Sequence, residues 1–433
     1  MKNPITFAKK IVKKTYQRAL RSIAFYPVFI SVALLFFALL TLSLENLGVV
    51  IEVKKSTSYL FIEDTDTART ILSTLIGGIL SLTVFSFTMV MVVLSQASSN
   101  FSPRLLPGLV SNKKHQLILG WYIGTLLYCT MILISLGAYE LENSTVGMST
   151  TIAAILGICC VGLFVSFIHT ISRAVQIQNI VGRICKLTAK NIDKQLEAVL
   201  SEEIPLKSVR DDNFKLILAK KDGYFQGFDT DLLNTDVLTE DLQLVVIPYS
   251  CEHLYKGDPL FRTSRPVTQE EEESLYFACS ISKDLHDGKH PLLGMIKLME
   301  VAVRAMSPGV NDPGTALDVV HKLGPLLDKM IRLPAYTSTH HTAMGLVVMK
   351  TNISTSELLD TVIQPIRLYG KEDSSLIEGL LKVLKYLSSA QNISEEDREA
   401  IEDERKAFEE NIAAFITNTK DKKRIAEVLT AFD

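Results

Sequence analysis

The sequence predicts an α-helical membrane protein: four transmembrane helices followed by a cytoplasmic α+β region, a small β barrel-like module and then a helical domain. Three observations predict it. Four long apolar runs, near 22–43, 70–96, 117–139 and 150–171, crowd the front of a 433-residue chain, and no comparable run follows. Each is near or above the ~20 residues that an α-helix needs to cross a bilayer core. Behind them, short apolar strands with Gly-containing turns give way to segments of helical periodicity. The expected organisation is a four-helix transmembrane domain over 1–172, a helical linker over 173–207, a small β-rich module over 208–266 and a cytoplasmic helical domain over 267–433.

Composition agrees with a hybrid. Hydrophobic residues make up 47% of the chain, yet charged residues still make up 21%. The net charge of −3 hides a basic arm: Lys2, Lys9, Lys10, Lys13, Lys14, Arg18 and Arg21 precede the first run with no acid among them. Such an arm is the cytoplasmic flank of a membrane helix rather than a nucleic-acid tail. The first run is too long for a signal peptide and lacks a small-residue cleavage site, so it is expected to be a retained anchor. Pro27 falls in its first turns, where a missing N–H is tolerated. Arg104, Lys113 and Lys114 flank the second loop, and Arg173 and Arg183 follow the fourth run. The first loop carries Lys54 and Lys55 but more acids than bases, and the third has no base. This alternation puts both termini in the cytoplasm. Cys129, Cys159, Cys160, Cys185, Cys251 and Cys279 show no paired spacing, which argues against disulfides and a zinc–cysteine site.

The second span carries a stripe of polar and small residues: Thr74, Gly78, Ser81, Phe85, Thr88, Val92, Ser95 and Ser99. Gly and Ser let helices approach closely. The same stripe, Gly78, Ser81, Phe85, Thr88, Val92 and Ser95, can instead line a water-filled path with Phe85 or Val92 as a dewetting constriction. The span centres hold no charged residue, which argues against a proton-relay pump or an ion-coupled transporter. His169, near the end of the fourth span, is a capped interfacial histidine or a pH sensor. The fourth helix is expected to run on unbroken into the linker, with Val175, Ile177, Ile180, Val181, Ile184, Leu187 and Ile192 on one apolar face.

In the β module, FKLILAK, YFQGFD, LQLVVIPYS and LFRTS are expected strands, and TDLLNTDVLTED a short helix. The pattern resembles the barrel-sandwich modules that carry biotinyl or lipoyl groups, but no Met-Lys or Asp-Lys pair sits at a hairpin tip for attachment. No cofactor is expected. Thr268 and Glu271 have capping-box spacing at the head of a helix expected to continue through CSISKDLHD. A second helix spans HPLLGMIKLMEVAVRAM and ends at Pro308–Gly309. Asp312 is the expected N-cap of the next, with Pro313 at its first position and Ala316, Leu317, Val320 and Leu323 on its apolar face. TAMGLVVMKT is a candidate strand, and the remainder reads as amphipathic and then highly charged helix.

The stretch RAMSPGVNDPGTALD, with SQASSNFSPRLLPGL after the second span and LFVSFIHTISRAVQ at the end of the fourth, resembles an uncharacterised bacterial family of predicted membrane proteins, a domain of unknown function. The resemblance covers roughly residues 21–390. Its motif, R-A-x-S-P-G-x-N-D-P-x-T-A, is matched by Arg304, Ser307, Pro308, Gly309, Asn311, Asp312, Pro313 and Thr315, with Gly314 at a variable position. The resemblance implies four membrane helices, a cytoplasmic domain and the bacterial inner membrane. It implies no activity.

The motif therefore has to be interpreted through its chemistry. Arg304, Ser307, Asn311, Asp312 and Thr315 bring charged, hydroxyl, amide and carboxylate groups to a helix N-terminus, which suits a ligand. The bland alternative is a helix–turn–helix corner whose groups satisfy their own backbone. A Ser307 nucleophile would need His286, His290 or His321 folded back onto it; no catalytic residue is assigned. Asp284, His286, Asp287 and His290, and the pair His340–His341, lack a closed metal constellation, so no metal is assigned. Two functions from different classes stand. One is a homo-oligomeric channel lined by the second helix, with a cytoplasmic regulatory domain. The other is a membrane-anchored regulator that binds a ligand or partner and conducts nothing. The expected partners are the lipid bilayer and further copies of the chain, without nucleic acid.

Overall fold

The computed structural model describes residues 24–45, 61–62, 64–100, 113–138, 147–174, 176–201, 215–233, 237–238, 242–285, 290–341, 346–391 and 393–432. The basic arm, Lys54, Lys55, Arg104, the third loop, Val175, His286 and Asp287 lie outside the described residues, as do the side chains of Ser99, Arg173, His340 and His341. The chain divides into two compact units, Met1–Asn179 and Ile180–Asp433.

Among the described residues, the N-terminal unit has four helices: α1 (Phe25–Leu44), α2 (Thr65–Asn100), α3 (Lys113–Ala138) and α4 (Gly147–Ala174). All four are long and apolar enough to cross a membrane. Helix α3 is the hub and packs against each of the other three. The sequence reason is a Gly-x-x-x-Gly pair, Gly120 and Gly124, turned toward α1. A methyl group at Gly124 would stand 2.6 Å from Leu34 Cδ1, and one at Gly120 would stand 3.0 Å from the Pro27 Cα. Only a missing side chain allows this approach. Among the spans, α3 has the largest buried share (44% of its apolar window) and α2 the smallest (11%).

The interior of this unit is more polar than its hydropathy suggests. The Tyr128 hydroxyl lies 3.0 Å from Thr41 Oγ1 and donates to the Ser149 carbonyl at 3.2 Å. The Glu45 carboxylate, at the end of α1, accepts from the backbone N–H groups of Met148 and Ser149 and from the Ser149 hydroxyl. This caps α4 from a residue about a hundred positions away, with a negative charge at the positive end of the helix dipole. Further along α3, the Cys160 thiol donates to Thr125 Oγ1 at 3.5 Å.

Helix α5 (Ile177–Ser201) starts just before the C-terminal unit and leads into it. The unbroken helix expected from the fourth span is in fact two: α4 ends at Ala174, Gln176 is non-helical and α5 starts at Ile177. The expected apolar face also shifts. Leu187 is 57% exposed, and the buried positions are Ile180, Val181, Thr188 and Ile192. Thr188 is inside because Gly294 faces it. A methyl group at Gly294 would fall 1.9 Å from Thr188 Oγ1. Asp193 adds an ion pair to Lys329 at 2.6 Å, half in solvent and therefore worth little.

Two sheets follow. The larger is built from β1 (Lys215–Leu218), β3 (Gln243–Val246), β5 (Pro259–Thr263), β7 (Tyr336–His341) and β8 (Leu346–Thr351), in the order β1-β5-β3-β8-β7. The smaller is built from β2 (Gly223–Phe228), β4 (His253–Leu254) and β6 (Cys279–Ser282), in the order β4-β2-β6. The pairing is antiparallel except that β3 and β8 run parallel, Leu244 opposite Val348. The two sheets share one apolar core around Phe225, Phe228, Leu244, Phe261 and Val348.

This corrects the expected barrel-like module in two respects. Two sheets replace a barrel-like module, and β7 and β8, which lie beyond the expected module, complete the larger one; β8 is the strand expected in TAMGLVVMKT. The parallel pairing joins residues about a hundred positions apart, which no local pattern announces. Likewise the helix expected through CSISKDLHD stops early. Helix α6 (Gln269–Ala278) has its Thr268–Glu271 capping box, but Cys279 turns extended and pairs with Phe228 as β6. The expected helix in TDLLNTDVLTED is, within the described residues, one 3-10 turn, Thr230–Leu232, capped by Asp229.

The helical layer comprises α7 (Pro291–Ala305), α8 (Pro313–Ile331), α9 (Thr355–Val362), α10 (Gln364–Tyr369), α11 (Ser374–Ser388), α12 (Glu395–Phe415) and α13 (Thr419–Leu429). Ala316, Val320 and Leu323 are fully buried on α8, as their spacing predicts. Leu317 is partly buried and meets α11, where Gly379 leaves room for it.

Candidate ligand site and membrane-helix faces

The motif residues Ser307, Asn311, Asp312 and Thr315 come together in the corner between α7 and α8, with Arg304 in the last turn of α7. The corner is exposed and turned in on itself. The Ser307 hydroxyl donates to the Arg304 carbonyl at 2.7 Å. Asn311 takes the left-handed conformation (φ 47°), which Asn tolerates better than most residues. Its N–H and that of Val310 both reach the Ser307 carbonyl. Asp312 accepts from the Thr315 N–H at 3.0 Å and the Thr315 hydroxyl at 2.6 Å. Those two bonds, the hydroxyl first, hold its carboxyl below the usual range. The arrangement is an N-cap with Pro313 behind it. His290 and Ser307 lie at opposite ends of α7, a helix of 15 residues, hence ~22 Å apart at 1.5 Å per residue. His321 lies nine residues beyond the Asp312 cap, on exposed surface of α8. Neither histidine serves as a base for Ser307.

On α2 the stripe Gly78, Ser81, Phe85, Thr88, Val92 and Ser95 is exposed throughout. The face of α2 that packs is a different one, with Ala68, Leu72, Ile79 and Ser86 buried. Gly78 has open space where a methyl group would stand, so the close approach expected of it is not made among the described residues. The hydroxyls of Thr74, Ser81 and Thr88 each donate to the carbonyl four residues back. That bond satisfies the donor and lets the residue face lipid or a neighbouring helix. The Phe85 ring meets Phe164 edge-on, with centroids 5.7 Å apart.

Sequence reasoning missed a cavity of about 290 Å³ in the C-terminal unit. It lies where α5, the small sheet, the large sheet and the head of α7 converge. Gln195 and Val199 of α5 form one wall, and Phe225, Gly227 and Phe228 of β2 form another. Val246 at the end of β3 lines it with Pro248 and Ser250 beyond, as do Thr337 of β7, Lys350 and Thr351 of β8 and the following Asn352. His290 closes it. The imidazole Nδ1 accepts from the Leu292 N–H at 3.3 Å and caps α7, with Pro291 at the first helical position. The proton of the neutral ring therefore sits on Nε2. Burial pushes the His290 pKa down to about 4, so the ring is neutral at physiological pH. Gln195 Oε1 is buried without a hydrogen-bond partner. A buried acceptor left unpaired costs roughly 1–3 kcal/mol and calls for an explanation. In the sequence, HPLLG carried the only signal, a His-Pro pair before an apolar helix, which reads as well as a cap as a site.

Among the described residues no group of three or more His, Cys, Asp or Glu gathers as a metal site. Burial pushes the Cys251 thiol up to about 11 and the Cys279 thiol up to about 12, so both stay protonated and unreactive at neutral pH.

Fold and sites together define a helical membrane protein that carries a mixed helix-and-sheet unit behind its apolar helices. The chain belongs to the family described as Predicted membrane protein (DUF2254), which matches residues 20–386. It is similar to the Uncharacterized protein MT1328 of Mycobacterium tuberculosis (strain CDC 1551 / Oshkosh), 24% identical over 346 residues, covering 75% of this chain and 63% of that protein. The Uncharacterized protein Mb1321c of Mycobacterium bovis (strain ATCC BAA-935 / AF2122/97) matches with the same identity and coverage. The chain thus spans about 63% of the length of the curated relatives it matches. No solved structure matches it significantly.

Proposed function

We propose that this protein is a membrane-anchored regulator that binds a small ligand in its C-terminal unit. The observation that carries the reading is the cavity, because α5 forms one of its walls. Helix α5 begins three positions after α4 ends, so the element that touches a bound ligand is the one the chain joins to the membrane helices. A ligand that favours one setting of α5 shifts its population, and only its differential affinity for the two settings counts. The placement proposed is the bacterial inner membrane, with four crossings and both termini cytoplasmic. The motif corner at Ser307 and Asp312 is a structural turn in this reading.

A second reading, a homo-oligomeric channel, is favoured by the exposed α2 stripe. Its polar groups face away from the other three helices, so they line a path only if copies of the chain assemble around it. Phe85 then narrows the path between the Ser81 and Thr88 hydroxyls and keeps it dry. Planar-bilayer recording separates the two. The regulator reading expects silence from wild type and from Phe85→Ser, with the protein folded and inserted. The channel reading expects Phe85→Ser to raise leak conductance, Phe87→Ser to do little, and ring-sized particles in detergent.

A further inference from the structure

We infer that β7 is a docking edge for a second copy of this chain: the two β7 strands pair antiparallel about a twofold axis and join two five-stranded sheets into one. The inference goes beyond the regulator reading and does not depend on it. It also differs from the channel reading, whose contacts run through α2. Hydrogen-bond parity identifies the groups involved. β7 and β8 pair antiparallel, from Tyr336 opposite Thr351 to His341 opposite Leu346. One step further, the Asn352 N–H donates to the Ala335 carbonyl at 2.9 Å. In an antiparallel ladder such bonds join every second pair. Thr337, Thr339 and His341 therefore point their backbone groups at β8, and Tyr336, Ser338 and His340 point theirs outward. The Val347 N–H, which reaches the Leu242 carbonyl on the β3 side, keeps the same alternation. β7 is the last strand of its sheet, and no backbone group of a described residue pairs with its outer edge. Tyr336, at its start, is 41% exposed.

The two edges of the sheet are built differently. Natural sheets blunt an edge with short length, lysine, proline or a bulge. β1, the far edge, has four residues, carries Lys215 and shifts register between Ile217 and Leu218. β7 has six residues and none of these devices: no Lys, Arg, Asp, Glu or Pro lies between Tyr336 and His341. A second copy is the occupant that fits. A strand without acids, lysine or arginine lies against itself with no like charge opposite. The pairing that uses every outward group centres on Ser338, which faces its own counterpart in the second copy, and sets Tyr336 opposite His340. Area favours the same occupant. One strand pair falls short of the ~1,200–2,000 Å² that a stable soluble interface buries. A free peptide or a soluble partner would gain little from it, whereas two copies anchored in one bilayer meet at a raised effective concentration.

The test is oxidative thiol crosslinking of the full-length protein in isolated membranes, on a cysteine-free background. Ser338→Cys should give a disulfide-linked dimer, because residues opposite each other in a hydrogen-bonded pair have Cα atoms ~5.5 Å apart, inside the disulfide range. Tyr336→Cys alone should give none, since its two copies stand ~14 Å apart along the strands at ~3.4 Å per residue. Copies carrying Tyr336→Cys, coexpressed with copies carrying His340→Cys, should crosslink again. Adding Ser338→Pro to both members of that mixed pair should abolish the product. The sheet tolerates this proline because the N–H it removes points outward, and hydrogen exchange over β8 reports that the fold is kept. The cysteine arms decide the matter even where the proline does not fold. Absence of a dimer from Ser338→Cys, with the protein folded and inserted, overturns the inference. So does an equal yield from Tyr336→Cys alone, which marks random collision, or a Ser338→Cys adduct with a different protein. Survival of the mixed product in folded Ser338→Pro overturns it as well.

Discussion

Asp312 spends its carboxylate on the two Thr315 groups that start α8. Asp312→Ala should therefore cost roughly 0.5–2 kcal/mol of stability, as N-cap losses do, and leave ligand affinity in the cavity unchanged. Chemical denaturation of the full-length protein, followed by hydrogen exchange over α8, measures the first part. Loss of an affinity with no loss of protection would make the corner a binding site after all. His290 leads to a prediction about pH. Its folded pKa, about 4, lies below its unfolded value of about 6.5, so the unfolded chain binds more protons between the two. The stability contributed by the buried neutral ring is complete above about pH 6.5 and is lost as the pH falls toward 4. Protection of the first turn of α7, corrected for intrinsic exchange, should fall between pH 7 and pH 5, and His290→Gln should flatten the dependence.

At the scale of elements, two glycines decide which helices meet. Gly124 lets α1 lie against α3, and Gly294 lets α5 lie against α7. Thr188 is β-branched and has no long chain to swing aside, so a side chain at Gly294 must push the helices apart. Gly294→Val should destabilise the C-terminal unit by about 1–3 kcal/mol, the usual range for overpacking, and should expose Thr188. Thiol labelling of Thr188→Cys, slow with Gly294 and fast with Gly294→Val, checks it. A slow rate in both would mean that α5 is held by Ile192 and the Asp193–Lys329 pair alone. The same displacement would move Gln195 and Val199 and open the cavity, which ties the packing of α5 to the proposed function.

For the whole molecule, the decisive question is which side of the membrane the C-terminal unit occupies. Four crossings return the chain to the side where it began. Under the proposed topology that side is the cytoplasm, as the positive-inside rule expects from the basic arm and the charges flanking the second loop and the end of the fourth span. On a cysteine-free background, Ser208→Cys should stay unlabelled by a membrane-impermeant thiol reagent until the cells are opened. Labelling of intact cells would sink the orientation. The same scale decides between the two functional readings. Among the described residues the α2 stripe is exposed, so its role is settled by whether a second copy or lipid covers it.

Much of the architecture was legible from residues close together in the chain. The four apolar spans needed only hydropathy and length, and the caps at Thr268 and Asp312 needed only spacings of three residues, since a cap bonds groups one turn away. What the sequence could not determine joins distant residues. The parallel pairing of β3 with β8, the conversion of CSIS to a strand beside Phe228, and the capping of α4 by Glu45 each pair groups about fifty or more positions apart. The cavity is the extreme case, with walls drawn from six separate segments between Gln195 and Asn352. None of its residues forms a motif, because a binding surface is specified by what converges in space. The sequence by itself determined a membrane protein with capped helices behind its spans. Only tertiary packing decided that α5 docks through Thr188 on Gly294, and so that Gln195 and Val199 stand in a wall of the cavity.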